Sequence, residues 1–233
     1  MHNPILVALD GFTDEAKLLA IAEKLGPHVA GFKLNDALDV HGVGIIHKLY
    51  KHTNWIMADP KLYDIPNTMK NRALPYVQAG ARMLTVHASA TIDGMHAAVE
   101  VGRSQKLQTL VLAVTVLTSM SEEEAHLMFG NPSKAEVLQL ARNAKLADAD
   151  GIVCSPLELP LLKQRFELKG LLYVVPGIRP AWHQKADDQK RTMTPAEARK
   201  AGADYIVIGR PILEHADPVV AANLTLEEWQ AAA

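Results

Sequence analysis

Eight short apolar runs alternate with longer amphipathic segments, and this alternation constrains the fold more than any other feature of the sequence. Nearly uninterrupted apolar runs are typical of strands that are buried on both faces. The predicted strands span residues 5–10, 31–35, 55–61, 83–87, 109–117, 151–155, 172–177 and 205–209.

Segments with helical periodicity lie between these runs. Apolar side chains recur at helical spacing in residues 13–25, after the start signals Thr13 and Asp14, and Ser133 is a predicted cap for a helix over residues 133–147. Helical crossovers join parallel strands, and eight strand–helix units in 233 residues favour a closed barrel over an open sheet. The sequence therefore predicts an α/β protein with one (β/α)8 barrel domain, the TIM-barrel fold, over residues 1–233.

The composition indicates an ordinary apolar core and limits the kinds of partner. Hydrophobic residues make up 48% and charged residues 21% of the chain, and the formal net charge is -2. A near-neutral charge gives no reason to expect nucleic acid or an anionic membrane as a partner. One cysteine, Cys154, leaves no internal disulfide, and the N-terminal sequence has no targeting signal, so we expect a cytoplasmic location.

Charged or polar side chains occur at or just after the ends of the first four predicted strands. They are Asp10, Lys33, Asp59, Lys61 and His87. The carboxyl ends of the strands carry the active site in (β/α)8 barrels, because these ends all open at one face. We therefore interpret the charged side chains as parts of a functional site and His87 as a residue that supports it.

The string DPKLYD, residues 59–64, brings two carboxylates and an ammonium group close together in the sequence. Asp59 and Lys61 are two residues apart, so their side chains point to the same face of an extended chain. On its own, the string is equally compatible with an ion pair that neutralises itself at a strand end. Together with Lys33 from the neighbouring strand, an alternating network of Lys33, Asp59, Lys61 and Asp64 becomes possible. Such a network keeps a lysine protonated, and it can stabilise a developing carbanion and protonate it without a metal.

The loops after the last two predicted strands have the features of a phosphate site. They contain PGIRP at residues 176–180 and VIGRPI at residues 207–212, and (β/α)8 barrels often bind phosphate in these two loops. Gly209 lets backbone N–H groups approach an anion, and Arg210 can donate two hydrogen bonds to its oxygens. The long polar segment over residues 181–191 is predicted to be a lid over this site.

Together these motifs resemble those of the orotidine 5′-phosphate decarboxylase family over nearly the whole chain. They are VALD (7–10), FKLN (32–35), DPKLYDIPNT (59–68), TVHAS (85–89), AVTVLTSM (113–120), PGIRP (176–180), the DQ–R–MTP segment (188–195) and IGRPI (208–212). The resemblance implies a TIM-barrel enzyme that converts orotidine 5′-phosphate to uridine 5′-phosphate in pyrimidine synthesis, with no metal and no cofactor.

The resemblance also implies roles for the charged residues. Asp10 and Lys33 resemble the pair that binds the ribose hydroxyls and extends the charge network. Asp59 resembles the carboxylate that lies beside the substrate's own carboxylate. Lys61 resembles the proton donor to the carbon atom from which carbon dioxide leaves.

Two further residues imply a second subunit. Asp64 and Thr68 resemble residues that each subunit contributes to the site of its neighbour, so the resemblance implies a homodimer. Thr118 resembles a residue that contacts the pyrimidine ring.

The phosphate and lid residues are assigned by the same resemblance. Gly209 and Arg210 resemble the phosphate anchor, and Arg179 matches an arginine near the phosphate loop. Gln189 resembles the lid residue that spans the base and the phosphate. Because the lid is a residue longer than the commonest spacing, Gln184 stays open as the alternative to Gln189.

Two other functions stay open at this point. The sugar-phosphate branch of the same suprafamily, with 3-keto-L-gulonate 6-phosphate decarboxylase and hexulose-phosphate synthase, shares the Asp-x-Lys-x-x-Asp string but uses magnesium. The DIPNT continuation and the DQ segment of the lid argue against that branch. A non-catalytic barrel that binds a nucleotide phosphate is expected to lack at least one network residue, whereas all of them are present here.

Overall fold

Eight parallel strands close into a barrel in the order of the sequence, and the first strand pairs with the eighth. This computed structural model describes residues 3–53, 55–104, 108–183 and 192–232. Within these ranges the strands are β1 (Ile5–Ala8), β2 (Gly31–Leu34), β3 (Ile56–Leu62), β4 (Met83–His87), β5 (Leu110–Val114), β6 (Gly151–Val153), β7 (Leu172–Val175) and β8 (Tyr205–Ile208).

Every strand is followed by at least one α-helix, and β2, β5 and β8 are each followed by two. The α-helices of the described ranges are α1 (Glu15–Leu25), α2 (Asp36–His41), α3 (Ile45–Leu49), α4 (Pro66–Gln78), α5 (Ile92–Arg103), α6 (Glu122–Phe129), α7 (Ser133–Leu146), α8 (Leu159–Lys163), α9 (Pro195–Ala201), α10 (Arg210–Leu213) and α11 (Pro218–Gln230). The predicted (β/α)8 TIM-barrel fold is confirmed, while the assignment of the whole chain to a single domain stays a prediction.

The eight predicted strands all coincide with strands of the barrel, but some of their ends differ. β5 ends at Val114 rather than at residue 117, so Leu117 and Thr118 lie in the loop that follows it. β3 continues to Leu62, because this residue pairs with Val86 of β4 after a shift in register.

The starts of two helices show how caps decide helix boundaries. α1 begins at Glu15, and the carboxylate of Asp14 accepts hydrogen bonds from two backbone N–H groups of the first turn. The prediction that Ser133 caps α7 was wrong, because Ser133 is the first residue inside that helix. Its hydroxyl donates to the carboxylate of Glu122 in the preceding helix instead.

Alternation along the strands divides the apolar side chains into two cores. One core lies between the strands and the helices. The other fills the inside of the barrel and contains Leu6, Ala8, Met57, Met83, Leu112, Val174, Tyr205 and Val207. Because side chains two residues apart share a face, inward positions nearer the carboxyl ends fall on Lys33, Asp59 and Thr85, and on Asp10 just after β1. The barrel interior therefore changes from apolar to charged along its axis.

The longest helix of the described ranges, α7, contains 14 residues. About 20 consecutive apolar residues are needed to cross the hydrocarbon core of a membrane. None of the helices in the described part of the chain is long and apolar enough for this.

Gly31, at the start of β2, gives a test of how closely the strands approach. A Cβ atom at this position would collide with the backbone carbonyl of Trp55. We expect Gly31→Ala to lower the free energy of unfolding by about 1–3 kcal/mol or more, because backbone cannot move aside as a flexible side chain does. Urea unfolding followed by circular dichroism measures this change.

Gly44→Ala is the matched control for this substitution. Gly44 has helical backbone angles, and a Cβ atom there meets open space. It should leave stability unchanged or raise it by about 0.4–1 kcal/mol. Equal stability of the two variants would contradict the close approach at Gly31.

Candidate active site

A cavity of about 530 Å³ opens at the carboxyl ends of the strands. Its volume falls within the range of small-molecule sites, which is roughly 300–1,000 Å³. Most of the predicted site residues line it, namely Asp10, Lys33, Asp59, Lys61, Thr118, Arg179, Gly209 and Arg210. The barrel thus brings together residues that are up to 200 positions apart in the chain (10 to 210).

The charged network lies on one side of this cavity and is centred on Asp59. Nζ of Lys61 donates to Oδ2 of Asp59 at 2.8 Å, and Nζ of Lys33 lies 3.4 Å from the same oxygen. Lys33 also donates to both carboxylate oxygens of Asp10, at 3.0 and 2.9 Å. Asp59 is only 5% exposed and Lys33 only 8% exposed. Opposite charges at this depth stabilise each other, whereas either one alone would be costly to bury.

An irregularity in β3 places Asp59 and Lys61 in the network. The register moves from Ala58 opposite Leu84 to Leu62 opposite Val86, so the segment 59–61 lies across from Thr85 alone. Lys61 has a φ of 46°, in the left-handed region. This conformation costs a non-glycine residue about 1–2 kcal/mol, and such strain is most often found at functional sites.

Two residues without a predicted role support Asp59. The hydroxyl of Thr85 donates to Oδ1 of Asp59 at 2.8 Å, and the side chain of Asn35 donates to the backbone carbonyl of Asp59 at 2.6 Å. The sequence carried a signal for both, since Asn35 is two residues after Lys33. Thr85 likewise is a polar residue within an apolar strand, two residues before His87.

Asp64 and Thr68 lie outside the cavity of their own chain. The carboxylate of Asp64 accepts from the backbone N–H of Ile65 at 2.8 Å and lies 4.0 Å from Nη1 of Arg72. Thr68 is half-buried in the first turn of α4. One chain therefore brings Asp10, rather than Asp64, together with the two lysines.

The arginines occupy the side of the cavity formed by the loops after β7 and β8. Gly177 has a φ of 75°, which only glycine adopts easily, and it turns the chain toward Arg179. The backbone N–H of Arg179 donates to the carbonyl of Met193 at 2.9 Å, which fixes this loop against the segment before α9. Gly209 directly precedes α10, and Arg210 is its first residue.

Of the predicted lid, residues 181–191, the structure describes only residues 181–183. Gln189 and the alternative Gln184 lie outside the described residues. Before them, the ring of Trp182 contacts the ring of His215 edge to face, with centroids 5.5 Å apart. After them, the side chain of Thr194 caps α9.

His87 is the last residue of β4, and its predicted supporting role stays a prediction. Its Nδ1 is 2.7 Å from Oγ of Ser89, and the ring of Tyr63 contacts its ring edge to face. Burial lowers the pKa of His87 below its usual value, and the positive charge of Lys61 lowers this pKa further. His87 is therefore a neutral hydrogen-bonding group near pH 7.

Beyond the charged network, the described residues include a cysteine and other side chains of the types that bind metals. Cys154 is buried and its backbone or side chain lines the cavity. In the ranges that the structure covers, no three His, Cys, Asp or Glu side chains form a group that could hold a metal ion.

The closed barrel and the charged cavity at its carboxyl end define a (β/α)8-barrel enzyme. The chain belongs to the orotidine 5′-phosphate decarboxylase / HUMPS family, whose sequence profile matches residues 3–224. It is 41% identical over 234 residues to orotidine 5′-phosphate decarboxylase of Paramagnetospirillum magneticum, with 96% of this chain and 97% of the relative covered. It is 38% identical to that of Trichlorobacter lovleyi, with 97% and 95% covered.

Solved structures of the family have the same fold over the whole chain. The crystal structure of orotidine 5′-phosphate decarboxylase from Lactobacillus acidophilus matches with a TM-score of 0.81 and 34% identity, covering 98% of this chain and 99% of that one. The enzyme from Methanocaldococcus jannaschii, complexed with the inhibitor BMP, matches with a TM-score of 0.78 and 25% identity, with the same coverage.

The proximity of Lys61 to His87 can be tested by titration. Replacing Lys61 with Met removes the nearby positive charge, so the pKa of His87 should rise but stay below about 6.5, because burial is the larger cause of its shift. NMR of the His87 ring protons against pH measures this, and Lys163→Met, at a distant lysine, is the control. An unchanged pKa of His87 in Lys61→Met would contradict the predicted interaction.

The sign of the linked stability change follows from the lowered pKa. Well above pH 6.5, the ordinary pKa of histidine, both the folded and the unfolded chain hold a neutral His87, so this residue adds no pH dependence there. As the pH falls below that value the unfolded chain binds the proton first. The contribution of His87 to stability therefore decreases toward the pKa of the folded state.

Proposed function

We propose that this chain decarboxylates orotidine 5′-phosphate to uridine 5′-phosphate, as a step of pyrimidine synthesis, without a metal or a cofactor. The observation that carries the proposal is the ammonium group of Lys61, held 2.8 Å from the buried carboxylate of Asp59 in a cavity that also contains two arginines. Membership of the family and the names of the relatives support the choice of substrate.

Two different parts of the cavity would bind the phosphate and the ribose of such a substrate. Arg210 and Arg179 offer guanidinium groups to the phosphate, and the backbone at Gly209 lets an anion approach closely. The ribose hydroxyls lie at Asp10 and Lys33 on the other side. Binding energy from the phosphate and ribose then holds the reacting ring in place, which is how remote contacts accelerate a reaction.

Two further contacts complete the proposed complex. Thr118, in the loop after β5, contacts the pyrimidine ring. Gln189, or Gln184 in the alternative alignment, spans the base and the phosphate when the lid closes. Closure removes water, and every electrostatic interaction inside the cavity becomes stronger as a result.

The chemistry follows from the position of Lys61 beside Asp59. The substrate carboxylate binds next to Asp59, and the bond between it and the ring carbon breaks as carbon dioxide leaves. The electron pair of that bond stays on the ring carbon, where the positive charge of Lys61 stabilises it. Lys61 then transfers a proton from Nζ to this carbon and regains a proton from solvent.

The charge distribution supports a reaction without a metal. Two ammonium groups already neutralise Oδ2 of Asp59, at 2.8 and 3.4 Å. A divalent cation at this oxygen would be repelled by both Lys33 and Lys61. The magnesium-dependent sugar-phosphate branch and a non-catalytic barrel remain the alternatives that the assay below distinguishes.

A homodimer that completes the site is part of the proposal. Asp64 lies outside its own cavity, next to the apolar side chains of Tyr63 and Ile65, which are 60% and 67% exposed. Contiguous exposed apolar surface is typical of interaction sites, and a dimer interface at Asp64 would cover these two side chains. In the dimer, Asp64 and Thr68 reach the partner's site and extend the network there.

A cytoplasmic location is also part of the proposal. The buried thiol of Cys154 is compatible with a reducing, cytoplasmic location.

The first experiment follows the loss of orotate absorbance with orotidine 5′-phosphate, with and without a chelator. We expect turnover that the chelator leaves unchanged. Lys61→Ala should abolish turnover, because the proton donor is lost, whereas Arg210→Ala should mainly raise KM, because it removes a phosphate contact. Turnover only with magnesium would favour the sugar-phosphate branch, and nucleotide binding without turnover would favour the non-catalytic barrel.

The shared site is tested by mixing two inactive variants, Lys61→Ala and Asp64→Asn. If Asp64 acts in the partner's site, each mixed dimer contains one intact site, and random mixing restores about a quarter of wild-type activity. Lys61→Ala mixed with Asp59→Asn is the matched control, because Lys61 and Asp59 belong to the same chain's site and no intact site can form. No recovery in the first mixture would place Asp64 outside the partner's site.

A further inference from the structure

We propose that Thr85 is a positioning residue that holds the carboxylate of Asp59 and the backbone of Lys61 in their reactive arrangement. The inference rests on the proposed function, in which Asp59 and Lys61 carry the chemistry. Thr85 is fully buried and is not one of the described residues that line the cavity. It therefore acts through Asp59 and Lys61 and has no contact with the substrate.

The hydroxyl of Thr85 both donates and accepts a hydrogen bond. It donates its one proton to Oδ1 of Asp59 at 2.8 Å and accepts the backbone N–H of Lys61 at 3.0 Å. These directions are fixed by chemistry, because an ionised carboxylate only accepts and a backbone N–H only donates. One side chain thus links the two residues that the proposed reaction depends on.

The irregular register of β3 makes this hydroxyl necessary. Because residues 59–61 lie opposite Thr85 alone, Lys61 leaves the regular ladder, and its N–H bonds to the side chain of Thr85. Pro60 has no N–H to contribute to this segment. A buried N–H without a partner is unfavourable, so the bond to Thr85 helps Lys61 to keep its left-handed φ of 46°.

Because of this hydroxyl, the two carboxylate oxygens of Asp59 have different partners. Oδ1 bonds to Thr85, which leaves Oδ2 directed at Lys61 and Lys33. Without the hydroxyl, the carboxylate can rotate and the backbone of Lys61 can relax toward a negative φ. Both movements displace Nζ of Lys61 from the reacting carbon, and a displacement of about 1 Å can cost about 100-fold in rate.

Thr85→Val and Thr85→Ser separate this role from packing. Valine keeps the shape of threonine without its hydroxyl, whereas serine keeps the hydroxyl without the methyl group. For Thr85→Val we expect kcat for orotidine 5′-phosphate to fall by about tenfold to a hundredfold while KM changes by less than about threefold, because the phosphate contacts are intact. Thr85→Ser should regain most of kcat.

Thr109→Val is the matched control for the loss of a buried hydroxyl. Thr109 is also almost fully buried and donates to the backbone carbonyl of Ala81, near the amino ends of β4 and β5. We expect it to lower the melting temperature without lowering kcat at a temperature where all the variants are folded. A loss of kcat in Thr109→Val equal to that in Thr85→Val would overturn the proposal.

Two other results would also overturn it. One is a wild-type kcat in Thr85→Val, and the other is a Thr85→Ser enzyme that is no more active than Thr85→Val. If the wild-type protein itself does not decarboxylate orotidine 5′-phosphate, the proposed function fails separately. The crystal structures of Thr85→Val and Thr85→Ser then decide, because the proposal requires the Asp59 carboxylate or the φ of Lys61 to change in the first and to be retained in the second.

Discussion

The charge pairing around Asp59 is the interaction on which the rest of the site depends. A carboxylate that is 5% exposed is stable only with compensating charge, and Lys33 and Lys61 supply it from two adjacent strands. Both ammonium groups lie within 3.4 Å of Oδ2 of Asp59, so the three groups form one electrostatic unit. This unit ties the carboxyl ends of β2 and β3 together, and Asp10 connects it to β1.

The regular strands of the barrel and the strained segment within it have different roles. Regular parallel pairing builds the strands and requires nothing unusual of the backbone. At residues 59–61 the pairing of β3 with β4 shifts in register, and Lys61 adopts a left-handed φ. β3 pairs with β4 both before and after the irregular segment, and this pairing can hold such a conformation. A rigid scaffold around one irregular segment is a common way to preorganise a reactive group.

Much of this structure could be predicted from the sequence, for physical reasons. Apolar runs show where strands are buried on both faces, and the period of two along a strand places Lys33 and Asp59 inside the barrel mouth. The contacts of Thr85 could not be predicted in the same way, because they depend on a shift in register that no local pattern reports. The side-chain direction of Asp64 likewise depends on Ile65 and Arg72. The incorrect cap at Ser133 has the same cause, a tertiary contact with Glu122.

The pairing of β1 with β8 has a consequence for folding during synthesis on the ribosome. Ile5 pairs with Ile206, so the barrel stays open until β8 has been synthesised. Contacts of such long sequence separation form late and slowly. Asp10 and Lys33 are synthesised early, whereas Arg210 follows β8, the strand that closes the barrel. The site therefore cannot assemble before closure. Before closure, the nascent chain exposes unpaired strand edges at β1, and protection by chaperones matters most during that interval.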